Sequence, residues 1–159
     1  MNHELPQLKQ QVLLRSITKM LIPFILVFGI YVITHGEGGP GGGFQGGVIL
    51  AAAFILYGLV FGTKDLKERI PTPIIDACMA LGALLYASTG LLNLIVGGNF
   101  LDYGALVVLF PSSSRGDMEV WGMTAVEYGV GITVCSVIVT IYLQVSETPA
   151  QLDTGSKDS

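Results

Sequence analysis

Charge is what this sequence has least of. Only 13% of its 159 residues are Asp, Glu, Lys or Arg, where a soluble domain carries roughly a quarter. With 51% hydrophobic residues and a mean hydropathy of +0.64, the shortage excludes a water-soluble globule of this size, and lipid is the natural solvent. Basic clusters are also missing, which excludes nucleic acid as a partner. The net charge of −4 is too small to name another partner. Cysteine is limited to Cys78 and Cys135, each inside an apolar stretch. Two such thiols fit neither a disulfide framework nor a zinc site, so both are read as packing residues. The first apolar run starts late, is long, and is not followed by a small-residue cleavage site. It is therefore read as a membrane span and not as a cleaved signal.

What is present is length of apolar sequence. A helix needs about 20 apolar residues to cross a hydrocarbon core about 30 Å thick. Four stretches meet or approach this, at about 17–34, 46–62, 74–96 and 124–145. Backbone groups in lipid must be satisfied within the segment, so the spans are helices. The sequence predicts an all-α integral membrane protein with one four-helix domain over 1–145 and a polar, disordered tail over 146–159. Thr72 followed by Pro73 reads as an N-cap with proline at the first helical position. Thr124 and Glu127 have capping-box spacing at the start of the fourth helix. Pro23 is expected to kink the first.

Orientation follows from Lys and Arg. Lys9, Arg15 and Lys19 precede or open the first helix, and Lys64, Lys67 and Arg69 fill the loop between the second and third. The two remaining loops together hold only Arg115. Both termini are therefore placed in the cytoplasm, with Lys19 snorkelling to that surface. The second outer loop, 97–123, contains the apolar run 105–110, too short to span. Its Val-Val core suggests a strand or short β-hairpin over the helix ends.

The strongest local signal is the first outer loop, His35-Gly36-Glu37-Gly38-Gly39-Pro40-Gly41-Gly42-Gly43-Phe44-Gln45-Gly46-Gly47. Gly36, Gly38 and Gly41 match the letters of a dinucleotide fingerprint, but that motif needs a strand before it and a soluble crossover helix after it. A membrane helix precedes it here, and no Lys-Ser/Thr pair makes a P-loop. So much glycine admits unusual backbone angles and close approach of other chains. Left free, it costs a large ordering entropy. A flexible loop is the plain alternative, but the interleaved Pro40, Phe44 and Gln45 favour a specific turn held against another surface.

Ionisable groups near the membrane are few. Asp76 is expected in the first turn of the third helix and Glu127 in the first turn of the fourth, where a helix dipole favours a carboxylate. The other reading of each is a water-accessible proton or cation site near a helix end. His35 either caps the carbonyls of the first helix or titrates near neutral pH. No charge lies in 22–34, 48–62, 77–100 or 128–145. A chain that moves ions through its own centre usually has an ionisable residue or a broken helix there, so this chain is not expected to carry a complete ion path alone. Small-xxx-small pairs at Gly47/Ala51, Gly58/Gly62, Ala83/Ala87 and Ala125/Gly129 permit close helix packing and make a partner within the membrane plausible. Trp121, with Met118 and Met123 nearby, suits an interfacial anchor.

His35-Gly36 followed by Pro40-Gly41-Gly42-Gly43-Phe44-Gln45-Gly46-Gly47 between two helices resembles the MnhB/MrpB family, small membrane subunits of the multisubunit Mrp-type Na+/H+ antiporters. The resemblance covers about 14–143, including helix count and order. Glu127-Tyr128-Gly129-Val130 resembles the family's acidic residue opening the last helix. The resemblance implies an accessory structural and coupling subunit in the bacterial plasma membrane. Its partners would be the other subunits, including large complex-I-like ones that carry the channels, and the whole would exchange Na+ and H+. It implies no enzyme, cofactor or metal, and no catalytic residue. The glycine segment is the expected subunit contact, and His35, Glu37, Asp76 and Glu127 are candidates for tuning hydration or ion access. Related subunits occur in membrane-bound hydrogenases, so a redox-driven ion pump is a second reading. A self-sufficient homo-oligomeric carrier, with its site at Asp76 or Glu127, is a third.

Overall fold

The computed structural model describes residues 4–36 and 41–152. They form α1 (Glu4–Thr34), α2 (Gly43–Phe61), the short α3 (Thr63–Arg69), α4 (Thr72–Ile95), a 3-10 helix (Tyr103–Val108) and α5 (Arg115–Leu152). Among the described residues, four segments are long and apolar enough to cross a membrane: Gln11–Thr34, Gly43–Phe61, Thr72–Ile95 and Arg115–Glu147. α1 packs on α2, α2 on α5, and α5 on α4. α5 is therefore the central helix, with the α1–α2 hairpin on one flank and α4 on the other. One end of the bundle carries α3 (the α3 end), and the other carries the α1–α2 and α4–α5 connections (the loop end).

The helices meet through small residues. The buried positions of α2 are Gly43, Gly46, Gly47, Ala51, Ala53 and Gly58. Large apolar side chains point the other way, with Phe24 66%, Val27 68%, Leu81 61% and Ile95 77% exposed. Those fractions would be costly in water and suit a surface bathed in lipid tails. Without a hydrophobic drive between helices in lipid, close backbone packing holds the bundle together. An apolar cluster closes the α3 end, where Ala51, Leu66, Ile75, Val139 and Leu143 pack together. α3 buries Leu66 there and ties Lys67 to Glu147. Arg15 and Lys19 lie over the Phe61 ring, 5.7 and 5.6 Å from its centroid.

Several expected boundaries move. α1 begins at Glu4, ahead of the apolar run, and α2 begins at Gly43, so the second half of the glycine segment is helical. Thr72 is the first residue of α4 and not its cap. Pro71 holds the cap position, its carbonyl accepting from the Ile74 N–H at 2.9 Å. Asp76 consequently falls in the second turn, exposed. α5 begins at Arg115 and not near Thr124 because the capping box lies further upstream. The Ser114 hydroxyl accepts from the Asp117 N–H at 3.2 Å, while the Asp117 carboxylate accepts from the Ser114 N–H at 3.0 Å. Thr124 and Glu127 are interior helix positions. α5 runs on through Leu152, into the expected tail, and residues 153–159 lie outside the described residues.

The expected strand or hairpin at 105–110 is instead the 3-10 helix. A lone hairpin would leave backbone groups without partners near lipid. Here the groups are met locally: the Ala105 N–H donates to the Asp102 carbonyl at 2.9 Å and the Leu109 N–H to the Leu106 carbonyl at 2.9 Å. Arg115 fixes this segment to α5. Its guanidinium pairs with Asp102 at 3.2 Å and packs against Gly104.

Candidate functional site

The loop end gathers the glycine segment around one acidic side chain. Glu127 lies twelve residues into α5, about 18 Å from its start at 1.5 Å per residue. At that level α1 ends and α2 begins. The Glu127 carboxyl fills the space a side chain on Gly36 would take, and a Cβ on Gly42 would stand 3.3 Å from Oε1. Gly42 is the N-cap of α2, at φ 133°, a backbone angle that disfavours any side chain. The carboxylate thus stands at a helix N-terminus, where the dipole favours it. The helix is α2, however, and not the one that carries Glu127.

Below the carboxylate the backbones of α2 and α5 come into direct contact. A Cβ on Gly43 would run into the backbone of Glu127 itself. One turn on, a Cβ on Gly47 would lie 2.6 Å from the Gly131 carbonyl oxygen and 3.1 Å from its Cα. Gly46 turns to α1, facing Ile33 and the carbonyl of Gly29. The connection is stitched back by the Gly42 N–H donating to the Val32 carbonyl at 3.2 Å. Glycine is enriched here because three helices converge so closely that the junction holds the Ile33 side chain but none on Gly43, Gly46 or Gly47.

Other candidates are left outside this junction. The His35 ring is exposed and stacks on Tyr31, centroids 4.1 Å apart. Its Nδ1 is 3.1 Å from the Tyr31 carbonyl, so with the proton on Nδ1 it caps the end of α1. Phe44, 64% exposed, and Gln45 point away from the bundle. Asp76 is at the opposite end of the molecule, next to Ile75 of the α3-end cluster. Glu37 and Pro40, with Gly38 and Gly39 between them, lie outside the described residues. Gly29, Ile33 and Gly131 belong to the junction but escaped the sequence reading. The four-residue spacing of Glu127 and Gly131, one face of a helix, was the available signal.

Among the described residues no three of His, Cys, Asp or Glu come together to hold a metal ion. At the far edge of the loop end, Tyr103 packs its ring on Gly122, and burial first, then nearby Tyr86, raises its pKa above the ordinary 10.0.

The architecture is that of a polytopic helical membrane protein, with the Glu127 carboxyl set against the glycine backbone of the loop end. Residues 13–140 match the family described as a domain related to the MnhB subunit of Na+/H+ antiporter, and the chain belongs to that family. A relative in Staphylococcus haemolyticus is 37% identical over 138 residues, covering 87% of this chain and 96% of its own length. Relatives in Staphylococcus epidermidis and Staphylococcus aureus are 36% and 35% identical over the same coverage. All three carry the name "Putative antiporter subunit mnhB2".

Proposed function

We propose that this chain is an accessory subunit of a multisubunit Na+/H+ antiporter in the bacterial plasma membrane, a transporter component and not an enzyme. Membership of the MnhB family over residues 13–140 carries this reading. The structure is consistent with an accessory role. The spans hold no Asp, Glu, Lys, Arg or His at mid-depth between Glu127, near one end, and Asp76, near the other, and a self-contained ion path usually has one.

Both termini face the cytoplasm in this reading. Arg15, Lys19, Lys67 and Arg69 gather at the α3 end, where Arg69 stands 5.4 Å from the Tyr57 ring centroid. Such clustering follows the excess of positive residues on cytoplasmic faces. The glycine junction then lies toward the outer surface. It fixes the α1–α2 connection against α5 and presents Phe44 and Gln45 to a neighbouring subunit. Glu127 holds the α2 N-terminus in place and sets the local hydration beside that contact. The large complex-I-like subunits conduct H+ and Na+, and this chain positions them.

The test is purification of the tagged chain from its own membrane in mild detergent, with partners identified by mass. It is paired with Na+-dependent proton exchange in vesicles with and without the chain. Large antiporter subunits in the eluate and loss of exchange on deletion are expected. Hydrogenase subunits in the eluate would overturn the antiporter assignment. Exchange by the pure chain in liposomes would overturn the accessory role.

A further inference from the structure

The buried face of α4 runs through Ile75, Gly82, Thr89 and Asn93, at the seven- and four-residue spacings of one helix stripe. Gly82 places that stripe against α5, where its Cβ would stand 2.6 Å from the Gly129 carbonyl oxygen. Asn93 ends the stripe under the loop-end cap and is 0% exposed. Neither its Oδ1 nor its Nδ2 meets a hydrogen-bonding partner among the described residues. A buried amide without partners costs as much as several ordinary hydrogen bonds contribute, so a group in this state calls for a ligand.

The surroundings narrow the ligand. Asn93 is fully enclosed within this chain, so a side chain from another subunit is shut out and the group that answers the amide has to be small. A cation would satisfy Oδ1 but repel the amide N–H groups. The acid in this cap, Asp102, is engaged by Arg115. Water donates and accepts, and so answers both ends of the amide. One turn before Asn93, Thr89 lines an open cleft of about 400 Å³ shared with Ser113, Met118 and Trp121, and both Thr89 and Ser113 carry hydroxyls. The adjoining connection is under backbone strain, with Leu101 at φ 65°, an angle uncommon for a side-chain-bearing residue.

We infer that Asn93 is a water-binding position, holding internal water between α4 and α5 beneath the 3-10 cap, supplied through the cleft at Thr89. The site is separate from the Glu127 junction and does not depend on the antiporter assignment. It gives the loop end of this helix pair a hydrated interior.

The test uses the full chain in lipid, with asparagine labelled by 15N, and follows magnetisation transfer from water to the Asn93 side-chain amide. Asn93→Leu is measured alongside for thermal stability. Transfer at the rate of a bound water, with a lower melting temperature for Asn93→Leu, is expected. Absence of transfer to the wild-type amide would overturn the inference even if the variant does not fold. So would a raised melting temperature for Asn93→Leu, because it would mean that the amide was buried without compensation.

Discussion

Alanine at Gly47 should weaken the bundle although alanine is the better helix former. The added Cβ would stand 2.6 Å from the Gly131 carbonyl oxygen, 3.0 Å from the Val134 Cβ and 3.1 Å from the Gly131 Cα. Two of the three atoms are backbone of the central helix and cannot swing aside. Ordinary contact begins near 3.4 Å, so α2 must retreat from α5 by several tenths of an ångström along a face that also holds Gly43 and Ala51. Forcing extra carbon into a packed interior costs about 1–3 kcal/mol. Replacing a helical glycine by alanine returns about 0.5–1 kcal/mol. The net is a loss of about 1 kcal/mol or somewhat more, roughly a tenfold change in the unfolding equilibrium. Gly116→Ala is the control, since its Cβ would meet only the Ser114 Oγ at 3.9 Å. It should keep or slightly raise stability. Denaturant titration of the purified full chain, read by helix content, measures both. Equal stability of Gly47→Ala and wild type would refute the argument that glycine is required here for backbone contact.

Other expectations follow from single contacts. Glu127→Gln keeps the shape in the Gly36–Gly42 cradle but removes the charge at the α2 N-terminus, a loss of about 0.3–1 kcal/mol; complete loss of the assembly from the membrane would show that the carboxylate does more than stabilise the helix end. Ser114→Ala breaks the reciprocal cap with Asp117 and should cost about 1 kcal/mol, with faster amide exchange confined to the first turn of α5; unchanged exchange there would deny the cap. Tyr103 has its pKa raised by burial, so its neutral form stabilises the fold below the ordinary tyrosine value and that contribution fades as pH rises beyond it. Tyr103→Phe should therefore flatten the alkaline fall in melting temperature, and an identical fall in the variant would count against a phenol partly shielded from water.

The number and order of spanning helices were legible in the sequence because lipid imposes a simple test of apolar length. The meaning of the glycines was only half legible. Their abundance announced close packing, but Gly131 and Gly29, which meet Gly47 and Gly46, are isolated letters on other helices and give no local signal. The helix starts failed for a similar reason. Thr124 and Glu127 have capping-box spacing, as do Ser114 and Asp117, and spacing alone cannot rank two such boxes when the residues between them can also be helical. The apolar run at 105–110 read as strand from its valines, but with no second strand to pair with, the backbone bonded within its own turns.

By itself, then, the sequence determined the solvent, the spans, the family resemblance and the contrast between a positive end and a glycine-rich end, because each depends on composition and local order. Tertiary structure alone decided that Glu127 serves the N-terminus of α2 and not of its own helix, that His35 stacks on Tyr31, and that Asn93 of α4 is fully buried. Those facts depend on which backbones approach across distant stretches of chain, and no window of sequence contains both sides of such a contact.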